Sequence, residues 1–136
     1  RMPDKSKYAS ENIAWQLLED VLKEDKYNLL SFTHQILLKN LLQHTDKLSQ
    51  EEAQYVNQHA SVDFVIYYKL NKQPVLIVEV DGFAFHENNQ AQQARDAMKN
   101  DILKKYELPL VRLQTTGSGE DENIKSKLDE VLNKKH

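Results

Sequence analysis

The first stretch with a clear hydrophobic pattern lies near the start of the chain. Between residues 11 and 23, apolar side chains recur every three or four positions, the spacing of one helix face: Ile13, Ala14, Leu17, Leu18, Val21 and Leu22. Ser10 stands just before them, and serine is a favoured N-cap residue. The pattern predicts an amphipathic helix from about Glu11 to Lys23, capped by Ser10.

The next part of the chain predicts strands and short helices. The segments "LLSFTHQI" and "LLKNLLQH" (29–44) indicate a strand and then an apolar helical turn, and "LSQEEAQYVNQHA" (48–60) indicates a polar helix capped by Ser49. Val62–Lys69 and Val75–Asp81 have the length and β-branched content of strands, and the turn-rich "LNKQ" joins them. We expect these two strands to form a hairpin.

A helix, a strand and a second helix follow the hairpin. The helix is predicted from about Asn88 to Tyr106, and Pro109 precedes the short strand "LVRLQ". The segment "TTGSGEDEN" leads into a last helix near the chain terminus. Because helices alternate with strands, the sequence predicts a mixed α/β fold, a three-layer α-β-α sandwich with a central mixed sheet of four to five strands.

The composition is that of an ordinary globular unit. The chain has 136 residues, 40% hydrophobic and 29% charged, which fits a single domain over residues 1–136. It has no cysteine, which excludes disulfides and thiolate zinc ligands. A net charge of −3 disfavours wholesale attraction to nucleic acid, so any such contact has to be local.

Apolar runs and the first residues bear on location. No run approaches the roughly 20 apolar residues that span a bilayer, and "RMPDKSKYAS" lacks the apolar centre of a signal peptide. We therefore expect a cytoplasmic protein with no membrane partner. The chain opens on Arg1 rather than methionine, which favours a segment of a longer protein.

Acidic residues gather at one end of the predicted hairpin. Glu79 and Asp81 lie two positions apart on one strand, so their side chains project from the same face. If the turn centres on Asn71, Asp63 of the partner strand stands opposite Glu79, with Cβ atoms about 5 Å apart. Three carboxylates then converge, and because like charges repel, a cation is expected between them.

Oxygen ligands narrow the choice of cation. Carboxylates and the backbone carbonyl of Val80 suit Mg²⁺, Mn²⁺ or Ca²⁺, and Mg²⁺ is the first choice. In the alternative interpretation, Asp63 and Asp81 form turns at strand ends and Glu79 is held in a salt bridge.

The helix after the hairpin adds cationic candidates. Arg95 falls within the apolar stripe of residues 91–106, which predicts that it points at the sheet towards Glu79 and Asp81. Gln92 and Lys99 border it and extend a row of donors that could face a phosphate.

Two further interpretations stay open beside that row. Arg95 or Lys99 could form an ordinary surface pair with Asp96. His86 could move a proton or donate to a phosphate oxygen, although a lone loop histidine is more often inert.

Four segments together resemble a known family. "VDFVI", "VLIVEVDGFAFH", "QQARDAMKNDIL" and "LPLVRL" resemble the PD-(D/E)XK, or restriction-endonuclease-like, nuclease superfamily. The branch it is most similar to is related to very-short-patch repair endonucleases and to nuclease-like domains attached to helicases. The resemblance covers residues 10–114.

The resemblance implies roles for most of these candidates. Asp63 and Glu79 would match the metal-binding acids, the carbonyl of Val80 would complete the site, and Glu11 would be a supporting acid. His86 matches a histidine of the repair-endonuclease branch. The polar helix residues near the active site would be Gln92, Arg95 and Lys99.

One departure concerns Asp81, which occupies the position of the superfamily's lysine. Its presence puts the catalytic cation in doubt unless Lys99, Arg95 or His86 supplies the charge, although an added carboxylate could help to hold a second metal ion. The sequence thus predicts a Mg²⁺- or Mn²⁺-dependent DNA phosphodiester hydrolase, partnered by DNA and by a helicase region of the same longer protein.

Two other functions stay open. The first is a catalytically inactive nuclease-fold module that binds DNA or docks a helicase partner, which Asp81 and the acidic balance favour. The second, ranked last, is a glycosidase with paired acids, and the chain shows no aromatic-rich cleft for a sugar.

Overall fold

The computed structural model describes residues 9–81, 90–114 and 119–134 of the chain. Within these ranges it contains five α-helices, four strands and one 3-10 turn. In chain order they are α1 (Ala9–Val21), the turn Asp25–Tyr27, β1 (Leu30–Leu37), α2 (Leu38–Leu41), α3 (Gln50–Asn57), β2 (Ser61–Tyr68), β3 (Pro74–Val80), α4 (Gln90–Lys105), β4 (Leu110–Leu113) and α5 (Glu120–Lys134).

The four strands form one mixed sheet in the order β1-β2-β3-β4. The β1–β2 and β2–β3 pairs are antiparallel, so the predicted hairpin is confirmed. β4 joins β3 in parallel, and α4 lies between these two strands in the chain. Parallel neighbours require such a crossover, which brings α4 over the sheet next to the acidic end of β3.

Helices cover both faces of the sheet. On one face, α1 and α5 pack on Phe64 and Ile66 of β2. The fully buried residues of this layer include Ala14, Leu18, Phe64, Ile66, Ile124 and Leu128. On the other face, α2, α3 and α4 pack on Val65 and Ile77 through residues that include Leu38, Val56, Ile102 and Leu103. The predicted three-layer α-β-α sandwich of mixed α/β class is therefore confirmed.

One predicted helix start differs from the structure, and another lies outside the described residues. Helix α1 is described from Ala9, so Ser10 is a helical residue and its prediction as the N-cap is wrong. Helix α4 is described from Gln90, and Asn88 lies outside the described residues.

None of the described helices combines the length and the apolar character that a bilayer span requires.

Helix α3 begins with a capping box, as predicted. The Ser49 hydroxyl accepts the backbone N–H of Glu52 at 3.1 Å, and the Glu52 carboxylate accepts the backbone N–H of Ser49 at 2.8 Å. Lys105 on α4 also donates to Glu52, at 2.5 Å. The hydrogen bonds that Lys105 and the Ser49 N–H donate hold the pKa of Glu52 below its ordinary value. One buried carboxylate thus both starts α3 and joins it to α4.

Replacing Ser49 with alanine tests the importance of this cap. Ser49→Ala leaves the N–H of Glu52 without its acceptor, so we expect the free energy of unfolding to fall by about 1 kcal/mol. Urea denaturation measures the change. Ser126→Ala, at an exposed position within α5, is the control and should not destabilise the chain, because alanine favours helix interiors.

Candidate functional site

Asp63 and Glu79 face each other across the β2–β3 hairpin. The strands pair Ile66 with Leu76, Val65 with Ile77, and Phe64 with Val78. The paired residues end there, and one step further in the same register Asp63 stands across from Glu79. The strands follow the predicted register at this end of the hairpin, whereas the register shifts between Ile66 and Tyr67, closer to the turn. Glu79 lies on the face that packs against α3 and α4, because it follows Ile77 by two residues and side chains alternate along a strand.

The two carboxylates bond crosswise to the opposing backbone. The N–H of Asp63 donates to Glu79 Oε2 at 2.7 Å, and the N–H of Val80 donates to Asp63 Oδ2 at 2.8 Å. At this end of the hairpin, side-chain oxygens therefore take main-chain donors of the neighbouring strand. These bonds fix both carboxylates against the sheet.

Lys99 of α4 supplies the cation for Glu79. Its Nζ lies 2.5 Å from Glu79 Oε1 and donates to the carbonyl oxygen of Ser61 at 2.7 Å. Only 12% of the Lys99 side chain and 6% of the Glu79 side chain are exposed, so this ion pair is shielded from water. We call Asp63, Glu79 and Lys99 together the Asp63–Glu79–Lys99 cluster.

The surroundings of Asp63 raise its pKa. Burial, followed by the negative charge of Glu79, raises its pKa to about 7, with a smaller contribution from Glu11. The N–H of Val80 and the charge of Lys99 act in the opposite direction. Asp63 is therefore an acid that either holds a proton near neutral pH or requires another cation.

Asp81 lies outside this cluster. Arg112 Nη1 approaches Asp81 Oδ1 at 3.3 Å, and the same guanidinium donates to Asn100 Oδ1 at 2.8 Å and lies 3.8 Å from Asp96 Oδ1. The expected convergence of three acids is therefore wrong. Within the part of the chain that the structure describes, no three acid, histidine or cysteine side chains are arranged to hold a metal ion.

Sequence reasoning missed Arg112, and the topology explains why. The parallel β3–β4 pairing sets Arg112 directly beside Glu79, on the same face of the sheet and within reach of Asp81. The available signal was a single cation within the short apolar strand "LVRL". Its significance depends on knowing that β4 is the neighbour of β3.

Arg95 does not point at the sheet, and that prediction is wrong. It is exposed, and its Nη2 donates to Gln92 Oε1 at 2.9 Å, while Gln92 Nε2 donates to Asp96 Oδ1 at 3.0 Å. Helix α4 buries Ile102 and Leu103, near its C-terminal end. The rotation of the helix that buries these two residues turns Lys99, rather than Arg95, towards the acids.

The remaining predicted site residues have varied positions. Glu11 accepts from Gln35 Nε2 at 3.4 Å, and its charge reaches Asp63. Val80 takes part through its N–H. His86 lies outside the described residues.

Comparison with known proteins identifies a family. The family described as "Protein of unknown function (DUF2726)" matches residues 7–132. The chain belongs to this family. No curated protein and no solved structure matches the chain significantly. The match spans α1 to α4, the four described strands and most of α5, and it includes Asp63, Glu79 and Lys99.

The pKa of Asp63 predicts a pH-dependent stability. An unfolded aspartate titrates near pH 4, and because Asp63 has a raised pKa of about 7 in the folded chain, the folded state binds this proton more tightly. Its stabilising effect is present below about pH 4 and is lost as the pH rises to about 7. Asp63→Asn keeps an acceptor for Val80 and should be more stable than the wild type by on the order of 3 kcal/mol at pH 8.

Urea denaturation from pH 4 to pH 8 measures this difference. The free energies of the two proteins should diverge steadily with pH and run parallel above about pH 7.5. Asp101→Asn, at an exposed position on α4, is the control. A difference between Asp63→Asn and wild type that does not change with pH would contradict the assignment.

Removing Lys99 should expose the cost of burying Glu79. Lys99→Met leaves a buried carboxylate without its cation, and we expect a loss of about 3–5 kcal/mol in unfolding free energy. Adding Glu79→Gln should recover part of that loss, since an amide needs no counter-charge. A double-mutant cycle measures the coupling, and Lys104→Met, at an exposed position on α4, is the control. Additive effects would show that the pair does not stabilise the fold.

Proposed function

We propose that this protein is a divalent-metal-dependent DNA phosphodiester hydrolase of the PD-(D/E)XK type. One observation carries the proposal: acids on two adjacent strands face each other, and a shielded lysine from α4 contacts one of them. That arrangement combines oxygen ligands with a fixed positive charge, the two requirements for stabilising charge on a phosphate.

The donor set fits a hard divalent cation. Asp63 Oδ2 accepts from Val80, while no donor of the described residues contacts Oδ1. Asp63 also has no cation of its own within those residues, unlike Glu79 with Lys99 and Asp81 with Arg112. Carboxylate oxygens are preferred by Mg²⁺ and Mn²⁺. Asp63 and Glu79 would hold the ion, with the carbonyl of Val80 as a further ligand.

Each residue has a distinct proposed role. A bound divalent ion would supply Lewis-acid chemistry, activating water and stabilising the charge that develops on the phosphate. Lys99 pairs with Glu79 and orients its carboxylate, and its ammonium neutralises charge on the substrate. Lys99 thereby replaces the superfamily's lysine, whose position is occupied by Asp81. Arg112 neutralises Asp81, so this extra acid does not repel the phosphate.

Other assignments belong to the same proposal. Gln92 and Arg95 would contact DNA, Glu11 would support the site through its effect on Asp63, and His86 would assist proton transfer. The protein would act in the cytoplasm, next to a helicase region of a longer chain.

A non-catalytic module is the second candidate. Both oxygens of Glu79 already accept hydrogen bonds, one from Lys99 and one from Asp63. A carboxylate satisfied in this way can be purely structural. In that case the domain would bind DNA or dock the helicase region without cleaving a phosphodiester bond.

A metal titration tests the first proposal. A tenfold excess of Mg²⁺ or Mn²⁺ over its dissociation constant should stabilise the native chain by about 1.4 kcal/mol, which raises the melting temperature by roughly 3–6 °C. Asp63→Asn should abolish this shift, while Asp101→Asn should preserve it. We expect Asp81→Asn to keep the shift as well, because Arg112 rather than a metal ion pairs with Asp81.

Plasmid nicking tests catalysis. Nicking should require the metal and should fall by about 10²–10³-fold in Lys99→Met, the size of effect for one preorganised charge. It should be absent in Asp63→Asn. Stabilisation without nicking would indicate a metal-binding but inactive domain. No metal-linked stabilisation, with DNA still bound, would favour the non-catalytic module.

A further inference from the structure

A groove of about 330 Å³ runs between α3 and α4. Gln54, Tyr55 and Gln58 line it from α3, and Arg95 and Met98 line it from α4. Residues 51, 54, 55 and 58 are spaced to lie on one face of a helix. The groove therefore brings together an aromatic ring, two amides and the guanidinium of Arg95.

Tyr55 links this groove to the candidate active site. Its side chain is half-buried, and burial raises the pKa of its hydroxyl, on which the charges of Lys99 and Glu79 also act. The described residues provide no hydrogen-bond partner for the hydroxyl. Arg95 lines the groove and Lys99 stands one turn further along α4, so the groove lies beside the Asp63–Glu79–Lys99 cluster.

The charges in the groove indicate the kind of ligand. Arg95 contributes one positive charge and Glu51, which also lines the groove, contributes one negative charge. Because these two charges offset each other, the groove attracts a phosphate only weakly. A planar, uncharged ring fits better, because Tyr55 and the guanidinium of Arg95 can stack on it and the amides can bond to its edge. Nucleobases have this chemistry.

We propose that this groove binds one unpaired base of a single-stranded DNA substrate, stacked on Tyr55, beside the phosphodiester held at the cluster. The inference rests on the proposed function. The volume is at the lower end of the range for small-ligand sites, roughly 300–1,000 Å³, which suits a single base. In a duplex, base faces are stacked and their edges are paired, so a base enters the groove only when it is unpaired.

Fluorescence anisotropy with a labelled DNA strand of about 20 nucleotides tests this site. We use Asp63→Asn with EDTA present, so that no cleavage occurs, and compare the strand with its duplex. The single strand should bind at least 10-fold more tightly than the duplex. Tyr55→Leu should raise Kd about 10-fold, or about 1.4 kcal/mol, within the stacking range per base. Tyr55→Phe keeps the ring and should bind within twofold of the parent.

Arg95→Ala provides a second variant, because Arg95 is exposed and bonds only to Gln92 among the described residues. It should fold normally and raise Kd several-fold for the single strand. Lys104→Ala removes the same charge from an exposed position on α4 and should raise Kd much less. Thermal melting verifies that each variant is folded.

The outcomes separate the groove from the nuclease. Unchanged single-strand affinity in both Tyr55→Leu and Arg95→Ala, or equal affinity for duplex, would overturn the groove proposal even if metal-dependent nicking occurs. Tyr55-dependent single-strand binding, with no Mg²⁺- or Mn²⁺-dependent cleavage of the same labelled strand by the unsubstituted chain, would support the groove and overturn the nuclease. Equal losses in Arg95→Ala and Lys104→Ala would indicate general charge attraction and would also overturn the groove.

Discussion

The charge of Glu79 constrains this structure more than any other single feature. A carboxylate that is almost wholly buried costs several kcal/mol unless a cation and hydrogen bonds compensate it. Lys99 and the N–H of Asp63 provide that compensation from two different elements. The position of α4 over the β2–β3 hairpin is therefore tied to an electrostatic requirement of β3, in addition to the packing of Ile102 and Leu103.

Ion pairing distinguishes Asp63 from the other two acids at this end of β2 and β3. Glu79 has Lys99 and Asp81 has Arg112. Asp63 has no salt bridge within the described residues, and burial and its neighbours raise its pKa. Asp63 is therefore the acid at which the proposed metal ion would supply the missing counter-charge and relieve the repulsion from Glu79.

The fold and half of the site follow from local rules. Element order predicts the sandwich. Counting outward from Asn71 places Asp63 across from Glu79, in the register that the pairs from Ile66 to Phe64 follow. The roles of Arg112 and Arg95 do not follow from such rules. The role of Arg112 depends on which strand neighbours β3. The role of Arg95 depends on the rotation of α4, in which successive side chains are turned by about 100° around the helix axis. Both are set by tertiary packing.

The contact between Lys99 and the carbonyl of Ser61 has a further consequence. An ammonium group has three N–H donors, and Glu79 and Ser61 take two of them. The third has no acceptor among the described residues, so an anionic oxygen that reached Lys99 could be bound without loss of either existing bond. Lys99 could then hold the main chain of β2 at Ser61 and bind an anion at the same time.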